Sequence, residues 1–178
     1  MRGVRRGFGR VPGMTIAELN AHDRTEFVRV LGWIFEDSPW VAERAWDRRP
    51  FGSLDELHAA MTSVVEAATD AERLALLRAH PDLGTRVRMS RASTAEQRGA
   101  GLDHLDPSEC ARLQQLNAEY RTTFGFPFLF AVKHSTKDDV FAALEERSRS
   151  PRDHELAEAL GHVYRIARFR LEDLGLAG

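Results

Sequence analysis

Apolar residues recur at helical spacing along most of the chain. Between Leu54 and Ala68, for example, apolar side chains return every three or four residues, as they do on one face of an α-helix. No segment shows the strict alternation of apolar and polar residues that is typical of a half-buried strand, and the sequence contains no internal repeat. The pattern predicts an all-α fold, in which residues 15–178 form a single bundle-like domain of about seven to eight helices.

Helix-start signals agree with this pattern. In a capping box, a hydroxyl side chain and a carboxylate three residues later bond to the free backbone N–H groups of the first turn. The sequence fits this pattern at Thr15, Ser53, Thr69 and Ser93. Asp106 followed by Pro107 gives a further start, because proline suits the first helical turn. Each signal predicts a helix that begins at the next residue.

The last predicted helix carries a cation on its apolar face. Its apolar stripe consists of Leu156, Leu160, Val163, Ala167, Leu171 and Leu174. At ~100° per residue, Arg170 falls inside this stripe, whereas Arg165 and Arg168 point away from it. A guanidinium directed at a core is costly unless an anion or several acceptors meet it. Three interpretations stay open: an ion pair with a buried carboxylate, a stem whose head reaches water, or an anchor for anionic or carbonyl groups in a pocket.

Composition excludes several classes of protein. The 178 residues include 25 Lys and Arg against 27 Asp and Glu, so a net charge of −2 gives no basic footprint for nucleic acid. No apolar stretch approaches the roughly 20 residues that span a bilayer. A single cysteine, Cys110, excludes an intrachain disulfide and thiol-rich metal sites. We therefore expect a cytoplasmic protein without a nucleic-acid or membrane partner. Residues 1–14, which carry four Arg and no acid, are expected to form a disordered basic tail.

His80 stands where a helix is stopped, in RAHPDLG at residues 78–84. A lone histidine at a helix end can simply cap that end, where the helix dipole favours a positive charge. Pro81, however, fixes a stiff corner, and an imidazole held there is suited to exchange a proton near neutral pH. Both interpretations stay open. The other six histidines lack a comparable context, and no pair has metal-ligand spacing, so no metal site is expected.

Two further segments could bind a polar small molecule. In residues 93–97, Glu96 and Gln97 offer a carboxylate and an amide, although a capping box would also explain Glu96. Residues 124–132, FGFPFLFAV, place phenylalanines around a glycine and a proline; such a segment is more often core than the wall of a pocket. Residues 144–149, LEERSR, are expected to lie on a solvated helix face.

Taken in order, these motifs resemble the 2-oxo-4-hydroxy-4-carboxy-5-ureidoimidazoline (OHCU) decarboxylase family of urate catabolism. The resemblance runs from about Thr15 to Leu174, through SPW…RPF, HPDLG, SxxEQxxAGLD, YRTTFGFPFLFAVK and a last helix ending in RL. It implies an all-α domain, often a homodimer, that converts OHCU to (S)-allantoin without a cofactor or metal.

The resemblance also implies site residues. His80 matches the family's catalytic histidine, which we expect to act as general acid, and Glu96 matches its catalytic partner. Arg170 matches the arginine of the final helix. The residues that match the substrate-contacting segments are Pro81, Ser93, Thr94, Ala95, Gln97, Phe126, Phe128, Leu129, Phe130, Ala131 and Val132.

Two other function classes compete with this hypothesis. A non-catalytic helical interaction module would explain the helices and their caps, but not the inward Arg170, the His80 corner and the FGFPF bend together. A hydrolase of another cyclic ureide would generally need metal ligands or an activated nucleophile. The lone Cys110 has no neighbouring histidine in sequence, which disfavours this second class.

Overall fold

The computed structural model describes residues 13–84 and 91–176, and for residues 91–93 it describes the backbone alone. These residues form nine α-helices, one short 3-10 helix and no β-strand, so the predicted all-α class is confirmed for the described part of the chain. Residues 1–12, which make up most of the predicted basic tail, lie outside the described residues. Within the described ranges, no helix has both the length and the apolar character needed to cross a membrane.

The chain divides into two compact units. The first holds the described residues up to Ala68 together with those from Ala167 onward, and the second spans Thr69–Ile166. The helices of the first unit are α1 (Ile16–Ala21), α2 (Arg24–Leu31), α3 (Trp40–Ala45), the 3-10 helix (Trp46–Arg48) and α4 (Leu54–Glu66). The helices of the second unit are α5 (Asp70–Ala79), α6 (Arg91–Gly99), α7 (Pro107–Phe124) and α8 (Lys137–Arg147). Helix α9 (Arg152–Leu174) contributes residues to both units.

The first unit forms its core from α1 to α4 and the end of α9. Side chains that are completely buried there include Leu19, Phe27, Leu31, Val41, Leu57, Met61 and Val65. Burial of one such large apolar side chain stabilises the fold by about 1.5–3 kcal/mol. A paired hydrogen bond adds to this packing, because the Asn20 side chain donates to the carbonyl of Phe51 over 2.8 Å and accepts its N–H over 2.9 Å.

Helix α7 organises the second unit. It begins as predicted, with Asp106 accepting N–H groups of the first turn, Glu109 bonding back to the Asp106 N–H, and Pro107 at its first position. It ends at Gly125, whose φ of 82° is a left-handed conformation that suits glycine. The large side chains that α7 buries, Tyr120 among them, pack with the phenylalanines that follow its end.

The predicted capping boxes gave three outcomes. Thr15 and Thr69 form complete boxes, whereas Ser53 forms one half of its box, accepting the N–H of Glu56 while the Glu56 carboxylate accepts the N–H of Gly52. The prediction for Ser93 is wrong, because Ser93 lies inside α6, which already includes Arg91. A residue inside a helix is not its N-cap, and the Ser93 side chain itself lies outside what the structure describes.

Candidate active site

His80 ends α5 and is buried. The backbone of His80 is extended, with ψ 142°, because a residue before proline is excluded from the helical conformation. Its side chain is 5% exposed, and its Nδ1 lies 2.9 Å from the carbonyl oxygen of Leu76. Since a carbonyl oxygen only accepts hydrogen bonds, Nδ1 carries a hydrogen. Nε2 is therefore the ring nitrogen that can exchange a proton with a ligand.

Helix α7 holds the corner that follows His80. The Nδ2 of Asn117 donates to the carbonyl of Leu83 over 2.9 Å, and the guanidinium of Arg121 donates to Asp82 over 2.8 Å. Asn117 and Arg121 are four residues apart and so share one face of α7. Two consecutive residues of the corner are thus fixed to one helix, which restricts where His80 can move. Sequence reasoning missed Asn117, because its partner lies 34 positions away.

Gln97 joins α6 to the same corner. Its side chain is buried, and its Oε1 accepts the N–H of Gly84 over 2.8 Å. Its carbonyl oxygen thus already accepts a hydrogen bond inside the protein, and its Nε2 is the group that can donate to a substrate. Its neighbour Glu96 is half-buried, as is Thr94, whereas Ala95 is exposed. Because Ser93 lies inside the helix, an N-terminal capping box no longer explains Glu96, and its role in ligand binding stays a prediction.

Replacing Gly84 by Ala is expected to displace this corner. Gly84 has a φ of +72°, and a Cβ added there would lie 2.4 Å from Cδ2 of the buried Leu113. A left-handed conformation costs about 1–2 kcal/mol with a side chain, and overpacking costs about 1–3 kcal/mol more. The free energy of unfolding, measured in urea, should therefore fall by about 2 kcal/mol or more.

The matched control is Gly99→Ala in α6, where a Cβ would meet nothing within 4 Å. Alanine is the better helix former by about 0.8–1.0 kcal/mol, so this variant should be as stable as the original chain or more stable. Equal effects of the two substitutions would contradict the tight packing inferred at Gly84.

The FGFPF bend contributes side chains to the hydrophobic core of the second unit. Phe126 and Phe128 are completely buried, with ring centroids 6.0 and 5.3 Å from that of Tyr120. Their rings thus form part of the aromatic core of the second unit, which is the role that the sequence favoured for such a segment. The Nε of Arg78, at the end of α5, donates to the carbonyl of Gly125 over 2.8 Å. The bend is thereby tied to the helix that carries His80.

Residues 129–132 are neither helix nor strand, and side chains from two helices bind their backbone through hydrogen bonds. Arg147 donates from Nη1 to the carbonyl of Leu129 over 2.8 Å, and the Nδ1 of His162 accepts the N–H of Ala131 over 3.0 Å. Leu129, Ala131 and Val132 are buried, and Phe130 is half-buried. The Ala131 N–H is thus used inside the protein, so a substrate would have to bond to other donors, whereas the carbonyl of Leu129 can accept a second hydrogen bond.

Arg147 belongs to a buried charge network. Its Nε lies 3.0 and 3.2 Å from the two carboxylate oxygens of Glu155, and its guanidinium lies 4.6 Å from the centroid of the Phe128 ring. Tyr120 donates its hydroxyl hydrogen to Glu155; burial and this carboxylate raise the pKa of Tyr120. The expectation that LEERSR lies on a solvated face is wrong for Arg147, which is 8% exposed. Its i, i+4, i+7 spacing with Val140 and Leu144, both buried, was the missed signal.

Arg170 lies in the first unit and is buried as its position on the helical wheel predicted. It is 2% exposed, and its Nη2 lies 2.9 Å from Oε2 of Glu36, which is 4% exposed. Its Nη1 donates to the carbonyls of Trp33 and Ile34 over 3.4 and 3.3 Å. The interpretation as an ion pair with a buried carboxylate is therefore correct, and the role of Arg170 as a ligand anchor stays a prediction.

The fold and these residues define an all-α protein with a buried histidine at a proline corner and a buried arginine in its last helix. The sequence model of the OHCU decarboxylase family matches residues 20–172. The chain belongs to the OHCU decarboxylase family.

Relatives from several organisms agree with this membership. The chain is 45% identical over 161 residues to the OHCU decarboxylase of Halalkalicoccus jeotgali, covering 90% of this chain and 92% of that protein. It is 48% identical over 160 residues to that of Haloferax volcanii, covering 90% and 95%. A uric acid degradation bifunctional protein of Bacillus subtilis is 46% identical over 160 residues, which are 90% of this chain and 32% of that protein.

Solved structures share the fold. A crystal structure of (S)-allantoin synthase superposes with a TM-score of 0.75 at 32% identity, over 90% of this chain and 53% of that one. A crystal structure of OHCU decarboxylase in the presence of (S)-allantoin has a TM-score of 0.64 at 22% identity, over 76% and 89% of the two chains. The second likeness shows the fold alone.

Proposed function

We infer that this chain catalyses the decarboxylation of OHCU to (S)-allantoin in the degradation of urate. Membership in the OHCU decarboxylase family and the relatives of that name support the reaction, and the likeness to a structure named (S)-allantoin synthase supports the product. The observation that carries the proposal for this chain is His80. It is a buried histidine whose Nδ1 is fixed by a carbonyl, and the sequence resemblance matches it to the family's catalytic histidine.

The chemistry of OHCU explains which groups are needed. Its carboxylate sits on a ring carbon that also bears a hydroxyl and adjoins a C=N bond. When the bond to the carboxylate breaks, its electron pair forms a C=C bond, and the C=N pair moves to the nitrogen, which takes a proton. The resulting enol becomes allantoin when the ureido-bearing carbon gains a proton and the hydroxyl loses one. The substrate itself accepts the electrons, so we propose that no cofactor or metal takes part.

Two tasks are left for the protein. The first is delivery of a proton to one face of the ureido-bearing carbon, which sets the configuration; we assign it to Nε2 of His80 as general acid. The second is to hold the polar groups of the substrate. Glu96 is assigned to the hydroxyl or ureido N–H groups, and Gln97 and Ser93 to carbonyl oxygens. Arg170 keeps its predicted role as a contact for anionic oxygen.

Burial strengthens these interactions. We propose that the phenylalanine-rich segment at residues 126–132, which is mostly buried, excludes water from the site. Where water is excluded, a hydrogen bond that the Glu96 carboxylate accepts from the substrate is stronger than in water, and loss of a charged carboxylate as neutral CO2 is favoured.

Decay of OHCU that is freshly generated from urate, followed by ultraviolet absorbance, tests the proposal. The protein should accelerate the decay in proportion to its concentration, and the acceleration should survive a chelator. An unchanged decay would favour the non-catalytic module. Acceleration that a chelator abolishes would favour the metal-dependent hydrolase.

Glu96→Gln is expected to lower kcat/KM for OHCU by about 10- to 100-fold, because a hydrogen bond to a charged group contributes about 1.5–3 kcal/mol. The substitution keeps the shape and removes the charge. Glu66→Gln on α4, at an exposed position of the first unit, is the control and should leave the kinetics unchanged. Near-original turnover of Glu96→Gln would contradict the assigned role.

We also propose a homodimer, which the family resemblance supports, and a cytoplasmic location, which the single cysteine of the chain supports. Light scattering of the purified protein should give about twice the chain mass of 20.1 kDa. A monomer at micromolar concentration would contradict the first of these two proposals.

A further inference from the structure

His162, on α9 in the second unit, binds the backbone of the 129–132 segment. The residue is 3% exposed, and its Nδ1 lies 3.0 Å from the backbone nitrogen of Ala131. Because a backbone N–H only donates, Nδ1 accepts and carries no hydrogen. The ring hydrogen is therefore on Nε2, which lies 3.3 Å from Oε1 of Glu158. This geometry requires the neutral imidazole.

The surroundings of His162 keep the ring neutral. Burial, followed by the positive charges of Arg147 on α8 and Arg165 on α9, lowers the pKa of His162 to about 3. Glu158 is the acid that faces the ring from its own helix, and Glu155 pairs with Arg147. A pKa below its unfolded value means that protonation favours unfolding. The stability that His162 contributes is therefore complete above about pH 6.5 and is lost as the pH falls towards 3.

His162 and Arg147 bracket a single residue of the segment. Arg147 binds the carbonyl of Leu129 and His162 binds the N–H of Ala131, so Phe130 lies between two fixed points. Phe130 is the half-buried residue of the otherwise buried run 126–132. Its ring centroid lies 4.9 Å from that of His162, with 32° between the planes. Its backbone and its ring are thus both oriented by His162.

We propose that His162 is a positioning residue for OHCU decarboxylation, which acts through the Ala131 N–H to hold Phe130 and its neighbours in the conformation that binds the substrate. The inference rests on the proposed function, since residues 128–132 are predicted substrate contacts. A positioning role in substrate binding predicts an effect on KM, because the proton donor, His80, is elsewhere in the sequence and unchanged.

A pair of amide substitutions tests this inference. Asparagine at position 162 places an amide group near the position of Nδ1 and can accept the Ala131 N–H, whereas glutamine places it near Nε2 and cannot. His162→Asn should therefore keep KM for OHCU within about threefold of the original. His162→Gln should raise KM about tenfold or more, with kcat changed less than about threefold, since the Ala131 N–H would lose its acceptor and the segment would leave the conformation that binds the substrate. His154→Gln, at an exposed position on the same helix, is the control.

The outcomes separate the inference from the proposed function. The urea unfolding midpoint is measured for both variants. It shows whether a change in KM depends on the position of the amide group or only on a loss of stability. Equal KM for the two variants, a loss confined to kcat, or a KM that follows the midpoint alone would each overturn the positioning role. An original chain that fails to turn over OHCU would instead overturn the proposed function, and the inference with it.

Discussion

Replacing His80 by Asn is expected to lower kcat for OHCU by about 10²- to 10⁴-fold while the chain stays folded. The Nδ2 of asparagine can take the place of the ring Nδ1 and donate to the carbonyl of Leu76, so the buried corner keeps its hydrogen bond. What is lost is the proton on Nε2, since an amide does not titrate near neutral pH. Steady-state kinetics with OHCU generated from urate measures the effect, and the loss should fall on kcat more than on KM.

His154→Asn is the matched control for this substitution, because His154 is exposed on α9. It should leave kcat and the urea unfolding midpoint unchanged, and His80→Asn should share that midpoint within error. If His80→Asn instead kept kcat within about twofold of the original, the assignment of the proton donor would be wrong. A lowered midpoint together with a proportional loss of activity would point to a capping role at the end of α5.

Replacing Glu36 by Gln is expected to lower the free energy of unfolding by about 3–5 kcal/mol, because removal of one partner leaves a buried charge without compensation. Glu36 and Arg170 are 4% and 2% exposed, so water replaces little of the lost interaction. The expected change is a large fraction of the roughly 5–15 kcal/mol that stabilises a typical protein. The urea unfolding midpoint measures it. Asp47→Asn, which breaks the exposed Arg24–Asp47 pair, is the control and should cost no more than about 1 kcal/mol.

A double substitution separates the two roles that stay open for Arg170. In Glu36→Leu with Arg170→Met, apolar side chains replace the buried pair, and such replacements are often neutral or stabilising. If Arg170 serves only the ion pair, stability and turnover should recover together. If Arg170 also binds substrate oxygens, as the family resemblance implies, stability should recover while KM for OHCU stays raised by about tenfold or more. We expect the second result, and full recovery of KM would contradict it.

Features that depend on neighbouring residues could be predicted from the sequence. His80 lies at a helix end because Pro81 follows it, and Arg170 is buried because its spacing places it among leucines. Both follow from local geometry, which the sequence determines directly. The capping box at Thr69 formed for the same reason. At Ser93 the pattern was misleading, because α6 already includes Arg91 and a residue inside a helix cannot be its N-cap.

Pairings between distant residues could not be predicted. Glu36 and Arg170 are 134 positions apart, and Asn117 and Leu83 are 34 apart, so only the tertiary fold brings them together. His162 was missed because its partner is a backbone N–H, which carries no residue-specific signal. The burial of His162, in contrast, could have been predicted from helical spacing. Glu155 and His162 are seven positions apart and share a helix face with Ala159, so an inspection of the polar residues of α9 would have placed both inward.

The configuration of the allantoin product tests the central claim most directly. Circular dichroism can follow allantoin as it forms from OHCU that is generated from urate, with and without the protein. Without the protein, protonation from water reaches both faces of the enol and should give racemic allantoin. With the protein, the signal of (S)-allantoin should appear at a rate that rises with protein concentration, and His80→Asn should abolish the increase. Racemic allantoin formed at an unchanged rate in the presence of the original protein would contradict the account.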